Sequence, residues 1–285
     1  MATDISQRIE KEYHNFSKGQ KKIAAAILNE YDKTAFMTAA RLGRQVGVSE
    51  STVVRFANTL GYSSYSDMQA AAQELVRIKS TPNQRIEITK QQLSGKDVIE
   101  NVMEADIHKI RYTLEKLDRD AFSNAVNSIL KAKNVYVMGA RSAEPIAKIL
   151  YYNLSLIFDN IRFVTPTNTA EVFEQMFSIS EGDVLIGFSF PRYSSRMVNA
   201  VKFAKSKNAT VIGFTDSKAS PIAEFADCLL TARSDMASYM DSLVAPISII
   251  NAIIVEITRR REREITKRFE TLEKIWDEYN VYTKR

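Results

Sequence analysis

Five short apolar runs, separated for the most part by helical patterns, constrain the fold of the second half of the chain. They lie at residues 134–139, 161–165, 183–189, 210–215 and 228–231 and are rich in β-branched and aromatic residues. Such alternation is typical of a parallel sheet with helices on both faces. We therefore expect an α/β domain with a five-stranded parallel sheet within residues 97–285.

A different pattern occupies residues 42–60, LGRQVGVSESTVVRFANTL. Gly47 can take the positive φ of a tight corner between two helices, and Ser49 can cap the second helix. On an ideal helix one arc collects the apolar residues Val53, Phe56, Ala57 and Leu60. Gly61 can end this helix. The stretch predicts a helix-turn-helix with that arc buried.

The opposite face of the second helix carries short hydrogen-bonding groups around one guanidinium, a composition suited to base edges and phosphates in a major groove. The predicted DNA-binding residues are Ser49, Ser51, Thr52, Arg55, Asn58 and Thr59. The chain carries a net charge of +5, and residues 1–80 hold 11 Lys and Arg against 8 Asp and Glu. An ordinary helical hairpin with Arg55 as a surface charge is the alternative interpretation.

Local signals divide the chain. Ser17 and Gln20 form a capping-box pattern that predicts the first amphipathic helix, and Ser66 is the expected cap of a helix that ends near residue 78. The pattern breaks around residues 80–83. We therefore predict an all-α helix-turn-helix domain at residues 1–80, a linker at 81–96, and the α/β domain at 97–285. Within the last, Asp118 is expected to cap the second of two helices that precede the sheet.

Ligands of parallel α/β sheets bind beyond the carboxyl ends of the strands. Here two of those ends carry guanidinium and hydroxyl groups at the start of a helix, which suits a small polyhydroxy anion such as a sugar phosphate or a sugar acid. The predicted effector-binding residues are Gly139, Arg141, Ser142, Ser189, Arg192, Tyr193 and Ser194. Ser142 and Ser194 can equally be ordinary helix caps.

Several classes of protein are disfavoured. The single cysteine, Cys228, lies in an apolar run and is expected to be buried, and no Cys/His cluster suggests a metal or another cofactor. The first 16 residues lack the apolar core of a secretory signal, and no run of 18 apolar residues occurs, so we expect a cytoplasmic protein without membrane contact.

An enzyme is the main rival. Aldose-ketose isomerisation needs a base, commonly Glu, and often a histidine that helps open the ring. His14 and His108 lie outside the strand-helix region, whereas Glu144 and Glu171 lie near strand ends. We expect no catalytic residues, because Glu144 is already accounted for in the first turn of a helix, where its charge complements the dipole.

The chain resembles transcriptional regulators of the RpiR family, in which a helix-turn-helix precedes a SIS (sugar isomerase) domain. The residues that carry the likeness are Leu42, Gly47-Val48-Ser49, Thr52-Val53, Arg55-Phe56, Leu60-Gly61-Tyr62, Gly139, Ser142, Gly182-Asp183, Ser189, Gly213-Phe214-Thr215-Asp216, Ser220-Pro221-Ile222-Ala223 and Ala226-Asp227. The resemblance implies a homodimer or homotetramer that binds double-stranded operator DNA. It further implies that a sugar derivative on the SIS domain alters this binding.

The chain departs from the family in the loop after the third apolar run. Many SIS sugar-phosphate sites read Ser-x-Ser-Gly-x-Thr there, whereas this chain has Pro191 and Arg192 for the second Ser and the Gly, and Ser194 for the Thr. Losing Gly removes close backbone approach to a phosphate, and Arg192 adds a charged donor. A carboxylated sugar is therefore as well supported as a phosphate ester.

Residues 242–257, SLVAPISIINAIIVEI, are apolar on nearly every side of a helix yet too short to cross a bilayer. They predict a subunit interface or a helix buried between the sheet and a partner. The charged segment that follows predicts a solvated helix with a narrow packing seam.

Overall fold

The computed structural model describes residues 5–93, 95, 97–165 and 168–283. The chain forms two compact units, one of residues 1–101 with 235–241 and the other of residues 102–234 with 242–285. Each unit has its own apolar core. The expected order, a helical region followed by an α/β region, is confirmed.

The first unit is helical. Its helices are α1 (Ile5–Glu12), α2 (Lys18–Asn29), α3 (Tyr31–Thr34), α4 (Ala39–Val46), α5 (Glu50–Thr59), α6 (Tyr65–Lys79) and α7 (Pro82–Leu93). The capping box is confirmed, because Ser17 Oγ accepts from the backbone of Gln20 and the Gln20 side chain accepts from the backbone of Ser17. Phe16 and Phe56 meet edge to face at 5.1 Å in the core.

The corner between α4 and α5 depends on two glycines. Gly47 ends α4 with φ 71°, and Ser49 Oγ caps α5 by accepting from the backbone N–H of Thr52, both as predicted. Gly43 lets the corner close, because a Cβ there would lie 2.8 Å from the carbonyl oxygen of Val48. The helix-turn-helix geometry therefore requires a bare backbone at position 43.

The end of α5 is held by another part of the unit. Gly61 follows with φ 79°, and an Arg8 guanidinium nitrogen donates to the Leu60 carbonyl oxygen at 2.9 Å. This charged donor satisfies a carbonyl left without an intrahelical partner. Tyr65 donates its hydroxyl to the Met37 carbonyl at 2.7 Å, and burial raises the pKa of Tyr65 to about 12.

One sequence expectation in this region differs from the structure, and the segment predicted as a linker contains a helix. The prediction that Ser66 caps α6 was wrong, since Ser64 Oγ accepts from the backbone of Asp67 and the helix begins at Tyr65. The segment expected as a linker contains α7. Thr81 and Gln84 form a capping box at the start of α7, and Pro82 occupies the first helical position. The break in the sequence pattern is therefore followed at once by another helix.

A buried ion pair lies within the first unit. A nitrogen of Arg85 lies 2.9 Å from a carboxylate oxygen of Asp241, and both side chains are under one-tenth exposed. Asp241 belongs to the segment 235–241, which packs in this unit although it follows the last strand of the sheet in sequence. Removing one partner would leave the other charge buried, which is costly.

The helix α8 (Val98–Lys116) starts at the end of the first unit and lies mostly in the second, where α9 (Arg119–Lys131) follows it. Asp118 caps α9 as predicted. The remaining elements are β1 (Val135–Gly139), α10 (Glu144–Ile157), β2 (Ile161–Phe163), α11 (Thr169–Gln175), β3 (Val184–Phe188), α12 (Ser195–Ser206), β4 (Thr210–Thr215), β5 (Cys228–Thr231), α13 (Val244–Arg260) and α14 (Glu262–Glu278). The strands form a parallel sheet in the order β2-β1-β3-β4-β5, which confirms the predicted sheet.

Alternate residues of the strands point to opposite faces of the sheet. In β1, Val135 and Val137 join the core beneath α9, α10 and α13, whereas Tyr136 and Met138 join the core beneath α11 and α12. Both faces are covered, which explains why the central strands β1 and β3 are apolar and buried along their whole length. Cys228 is buried as expected.

Carboxylates fasten the amino ends of the strands. Asp183, before β3, accepts from the backbone of Asn134 at 3.0 Å and of Ser180 at 2.9 Å. Asp227, before β5, accepts from the backbone of Val211 at 2.8 Å and from Lys205 at 2.7 Å. Asp183 and Asp227 therefore have a structural role at the amino edge of the sheet. Ligands of such sheets bind at the opposite edge, beyond the carboxyl ends of the strands.

The apolar helix α13 packs on the sheet through Ala245, Ile249, Ile250, Ile253 and Ile257. Val255 is 66% exposed, so one side of α13 stays outside this core. Its proposed role in a subunit interface remains a prediction. Ile265 in α14 is buried, in agreement with a narrow seam.

Replacing Gly43 by Ala should loosen the α4–α5 corner by about 1–3 kcal/mol, because the new methyl meets a backbone carbonyl that cannot rotate away. Gly19→Ala is the matched control, since a Cβ there would meet only side chains at 3.4 Å or more. Hydrogen exchange of peptides that cover residues 39–60 measures the effect. Equal protection in both variants would contradict the close approach.

Candidate functional site

The exposed face of α5 is the first candidate site. The predicted buried arc is confirmed, since Val53, Phe56 and Ala57 are fully buried and Leu60 nearly so. Ser51, Arg55 and Asn58 are exposed on the other side. The helix therefore presents a polar surface on a rigid apolar base.

Hydrogen bonds order the beginning of α5. Ser49 Oγ lies 2.9 Å from Ser51 Oγ and 2.8 Å from Thr52 Oγ1, and a guanidinium nitrogen of Arg55 lies 3.5 Å from Thr52 Oγ1. Arg55 thus projects from the same face as the capping hydroxyls. Such a face can offer hydroxyl and guanidinium groups to phosphates and base edges.

Thr59 differs from the other predicted DNA contacts. Its hydroxyl donates to the Arg55 carbonyl at 3.0 Å and accepts from the Gln20 side chain at 3.0 Å. These bonds join α5 to α2, which gives Thr59 a structural role in this chain.

The second candidate site is a cleft of about 440 Å³ at the carboxyl ends of β1 and β3. It is lined by Ala140, Arg141, Glu144, Arg192, Tyr193, Ser194, Ser195 and Arg196. Three of these side chains are guanidiniums. The one carboxylate, that of Glu144, lies 2.7 Å from Lys148 Nζ, so its charge is balanced from outside the lining. The cleft is therefore suited to an anion.

Two of the arginines have a strained backbone. Arg141 has φ 58° and Arg192 has φ 64°, and the other non-glycine residues with positive φ in the described chain are both asparagines, which tolerate it better. This conformation costs about 1–2 kcal/mol for an ordinary L-residue. At Arg192 the backbone therefore has a conformation that favours glycine, while the side chain adds a cation.

The structure gathers only some of the predicted effector-binding residues into this cleft. Arg141, Arg192, Tyr193 and Ser194 line it, and Ser194 makes no capping hydrogen bond with its hydroxyl although it precedes α12. Ser142 is exposed in the short turn Arg141–Ala143 and is not among the lining residues.

Two other predicted effector-binding residues, Gly139 and Ser189, lie in the packed interior next to the strand ends. A Cβ on Gly139 would lie 2.8 Å from Ala147 Cβ and closer still to the Ala143 carbonyl, so this glycine lets the turn into α10 sit on the strand end. Ser189 follows β3 and is 3% exposed, and its hydroxyl has no hydrogen-bond partner in the described structure. Neither residue is among those that line the cleft.

Sequence reasoning missed Arg196, and it named Asp216 only as part of the family likeness and not as an effector-site residue. Arg196 lies in the first turn of α12, directly after the predicted loop residues, and that place at the start of the helix could have indicated it. Asp216 directly follows β4, and its Oδ1 accepts from Tyr193 Oη at 2.9 Å and from Thr215 Oγ1 at 3.1 Å. Only the parallel register of β3 and β4 brings these residues together.

The residues considered for catalysis are dispersed. His14 lies in the turn Tyr13–Asn15 and His108 on α8, both exposed, and Glu171 lies exposed in the first turn of α11. Within the described ranges, no group of three or more His, Cys, Asp or Glu could hold a metal ion. Likewise, no helix in the described part of the chain is long and apolar enough to cross a membrane.

Comparison with known families and proteins gives independent matches to both units. The helix-turn-helix domain of the rpiR family matches residues 3–76, and the SIS domain matches residues 128–256. An HTH-type transcriptional regulator of Haemophilus influenzae is 25% identical over 231 residues, which are 80% of this chain and 79% of that protein.

Two solved structures have a similar fold. The sugar isomerase domain of an RpiR transcription factor from Sphaerobacter thermophilus is 25% identical, with a TM-score of 0.58, and covers 61% of this chain and 97% of its own. The Vibrio vulnificus NanR protein complexed with ManNAc-6P is 17% identical, with a TM-score of 0.60, and covers 98% of this chain and all of its own. At that identity the second likeness concerns the fold alone.

Replacing Arg192 by Gly should stabilise the second unit by about 1 kcal/mol, because glycine adopts a φ of 64° without a steric penalty. Arg196→Gly is the matched control and should destabilise, since position 196 lies within α12. The fluorescence of Trp276, the only tryptophan, can follow unfolding of this unit in urea. Loss of stability in Arg192→Gly would show that the arginine side chain outweighs the strain.

Proposed function

This chain belongs to the RpiR family of transcriptional regulators with a SIS domain. We propose that it binds a small anionic sugar derivative and that this binding changes its affinity for operator DNA. The first unit binds the duplex, and the cleft of the second binds the effector. The protein acts in the cytoplasm as a homodimer or homotetramer. Effector and DNA share one free energy of coupling, so each changes the affinity for the other by the same factor.

The observation that carries the DNA proposal is the two-sided character of α5. One side is sealed in the core, and the other offers Ser51, Arg55 and Asn58 beside the hydroxyls of Ser49 and Thr52. A recognition helix of a helix-turn-helix needs this combination of a fixed axis and short polar side chains near its amino end. Thr59 then positions α5 through Gln20.

The effector proposal depends on charge and size. Arg141, Arg192 and Arg196 surround a cleft of about 440 Å³, which is within the range of small-molecule sites. Guanidinium groups can bind either phosphate or carboxylate in a bidentate manner, so both sugar phosphates and sugar acids are candidates. The NanR structure, a relative in fold, holds the sugar phosphate ManNAc-6P.

A two-fold dimer would place two copies of α5 in successive major grooves, about 34 Å apart. The operator would then be an inverted repeat, because a symmetric dimer presents the same surface twice. The exposed side of α13, which includes Val255, supports its use in such an assembly.

We infer that the cleft binds its ligand without transforming it. Sugar isomerisation commonly uses a carboxylate base and a histidine. Here Glu144 is held by Lys148, and no histidine lines the cleft within the described structure. The relative from Haemophilus influenzae is also named as a regulator.

Arg55→Ala should weaken binding to duplexes selected by the full-length protein from random-sequence DNA by about 1–3 kcal/mol, because it removes the guanidinium of the reading face. Lys90→Ala, at an exposed position on α7, is the control and should bind nearly as the parent. Fluorescence anisotropy at two salt concentrations measures both. A variant that retains full affinity and salt dependence would exclude Arg55 as a contact.

Arg192→Ala should leave binding to the selected duplex intact while abolishing the change in DNA affinity caused by glucose 6-phosphate, ribose 5-phosphate or 6-phosphogluconate. Arg263→Ala, an exposed arginine of α14, should respond like the parent. The same preparations should not turn over these compounds. A normal response in Arg192→Ala would mean that the cleft is not the sensor, and robust turnover would make the protein an enzyme.

A further inference from the structure

In the loop between β3 and α12, the hydroxyl of Tyr193 donates its proton to a carboxylate. Tyr193 lines the cleft, and its hydroxyl oxygen lies 2.9 Å from Asp216 Oδ1 and 3.2 Å from Asp216 Oδ2. An ionised carboxylate can only accept hydrogen bonds, and a phenol has one proton to donate. The proton of Tyr193 is therefore committed to Asp216.

Asp216 is itself held in place from the sheet. The hydroxyl of Thr215, which is fully buried at the end of β4, donates to Asp216 Oδ1 at 3.1 Å. The carboxylate thus receives donors from two neighbouring strand ends, which fixes its position more firmly than a single contact would. The relay Thr215–Asp216–Tyr193 links the sheet to the wall of the cleft.

We propose that Asp216 is a positioning residue that makes the Tyr193 oxygen a hydrogen-bond acceptor for a hydroxyl group of the effector. With its proton turned to Asp216, Tyr193 can meet a ligand only through oxygen lone pairs. A phosphate or carboxylate at that point would face those lone pairs and the carboxylate behind them. A sugar hydroxyl would instead donate to the phenol oxygen.

This inference rests on the proposed function and extends it, because it fixes the direction of the ligand and its class. The anionic end lies toward Arg141, Arg192 and Arg196, and the hydroxylated end lies toward Tyr193. Simple anions then bind more weakly, because they have no proton to donate to the Tyr193 oxygen and would face it as a second acceptor. The effector must carry both an anion and at least one hydroxyl group.

The test compares affinities for hydroxylated and simple anions in the full-length protein by isothermal titration calorimetry. The probes are glucose 6-phosphate, ribose 5-phosphate and 6-phosphogluconate, each against inorganic phosphate. We expect at least one hydroxylated probe to bind ten times more tightly than phosphate. Tyr193→Phe should reduce that ratio three- to tenfold and leave the phosphate affinity within twofold, since the ring remains but the acceptor is lost.

Asp216→Asn should reduce the same ratio, because the amide can donate to the phenol oxygen and free its proton to turn into the cleft. The affinity ratio is the decisive measurement, since a merely structural role would lower both affinities together. Tyr65→Phe and Asp227→Asn are matched controls that remove a phenol and a carboxylate from other hydrogen-bonded positions, and the ratio should stay unchanged.

The outcomes separate this inference from the proposed function. Unchanged ratios in Tyr193→Phe and Asp216→Asn, with phosphate binding still sensitive to Arg192→Ala, would overturn the acceptor role and leave the anion site standing. A lower ratio in Tyr193→Phe alone would overturn the role of Asp216. If no probe binds, or if Arg192→Ala does not affect binding, the effector cleft itself is misassigned and the inference is overturned with it.

Discussion

The aligned parallel register of β1, β3 and β4 is the constraint on which the cleft proposed as the effector site depends. Gly139 lies opposite Phe188, which lies opposite Phe214, so three strands end at one level and their loops meet. Gly139 then lets the turn into α10 approach the strand without a clash. Without this level edge, Arg141, Arg192 and Asp216 would have no common surface.

Two of the residues that line the cleft have a strained backbone, and the charges of their side chains give a reason for that strain. Two arginines occupy left-handed conformations, and both direct their guanidinium groups to the same small space. Strain of this kind persists only where the surrounding structure over-determines it, and it clusters at ligand sites. The apolar cores on both faces of the sheet provide that surrounding structure, and the carboxylates at the amino edge hold the strands in register.

The helical unit follows the same principle of rigid support beneath an adaptable polar surface. Gly43 and Gly47 set the corner, Ser49 and Arg8 cap the two ends of α5, and Gln20 ties it to α2. If α5 binds DNA as proposed, a helix fixed at so many points loses little conformational entropy on binding. Preorganisation of this kind favours affinity without requiring additional contacts.

Much of this protein was determined by the sequence alone, because the signals concerned are local. Capping hydroxyls, glycines at corners and the periods of apolar residues predicted the helix-turn-helix, the strands and the parallel sheet, and resemblance predicted the family. The one capping error was also local, since Ser66 was chosen over Ser64 as the cap of α6. What only the tertiary structure decided is which side chains share a space. Ser142 does not line the cleft, whereas Arg196 lines it and Asp216 bonds to one of its lining residues. Thr59 bonds to Gln20. Strand register and helix packing, rather than sequence spacing, set these distances between remote residues.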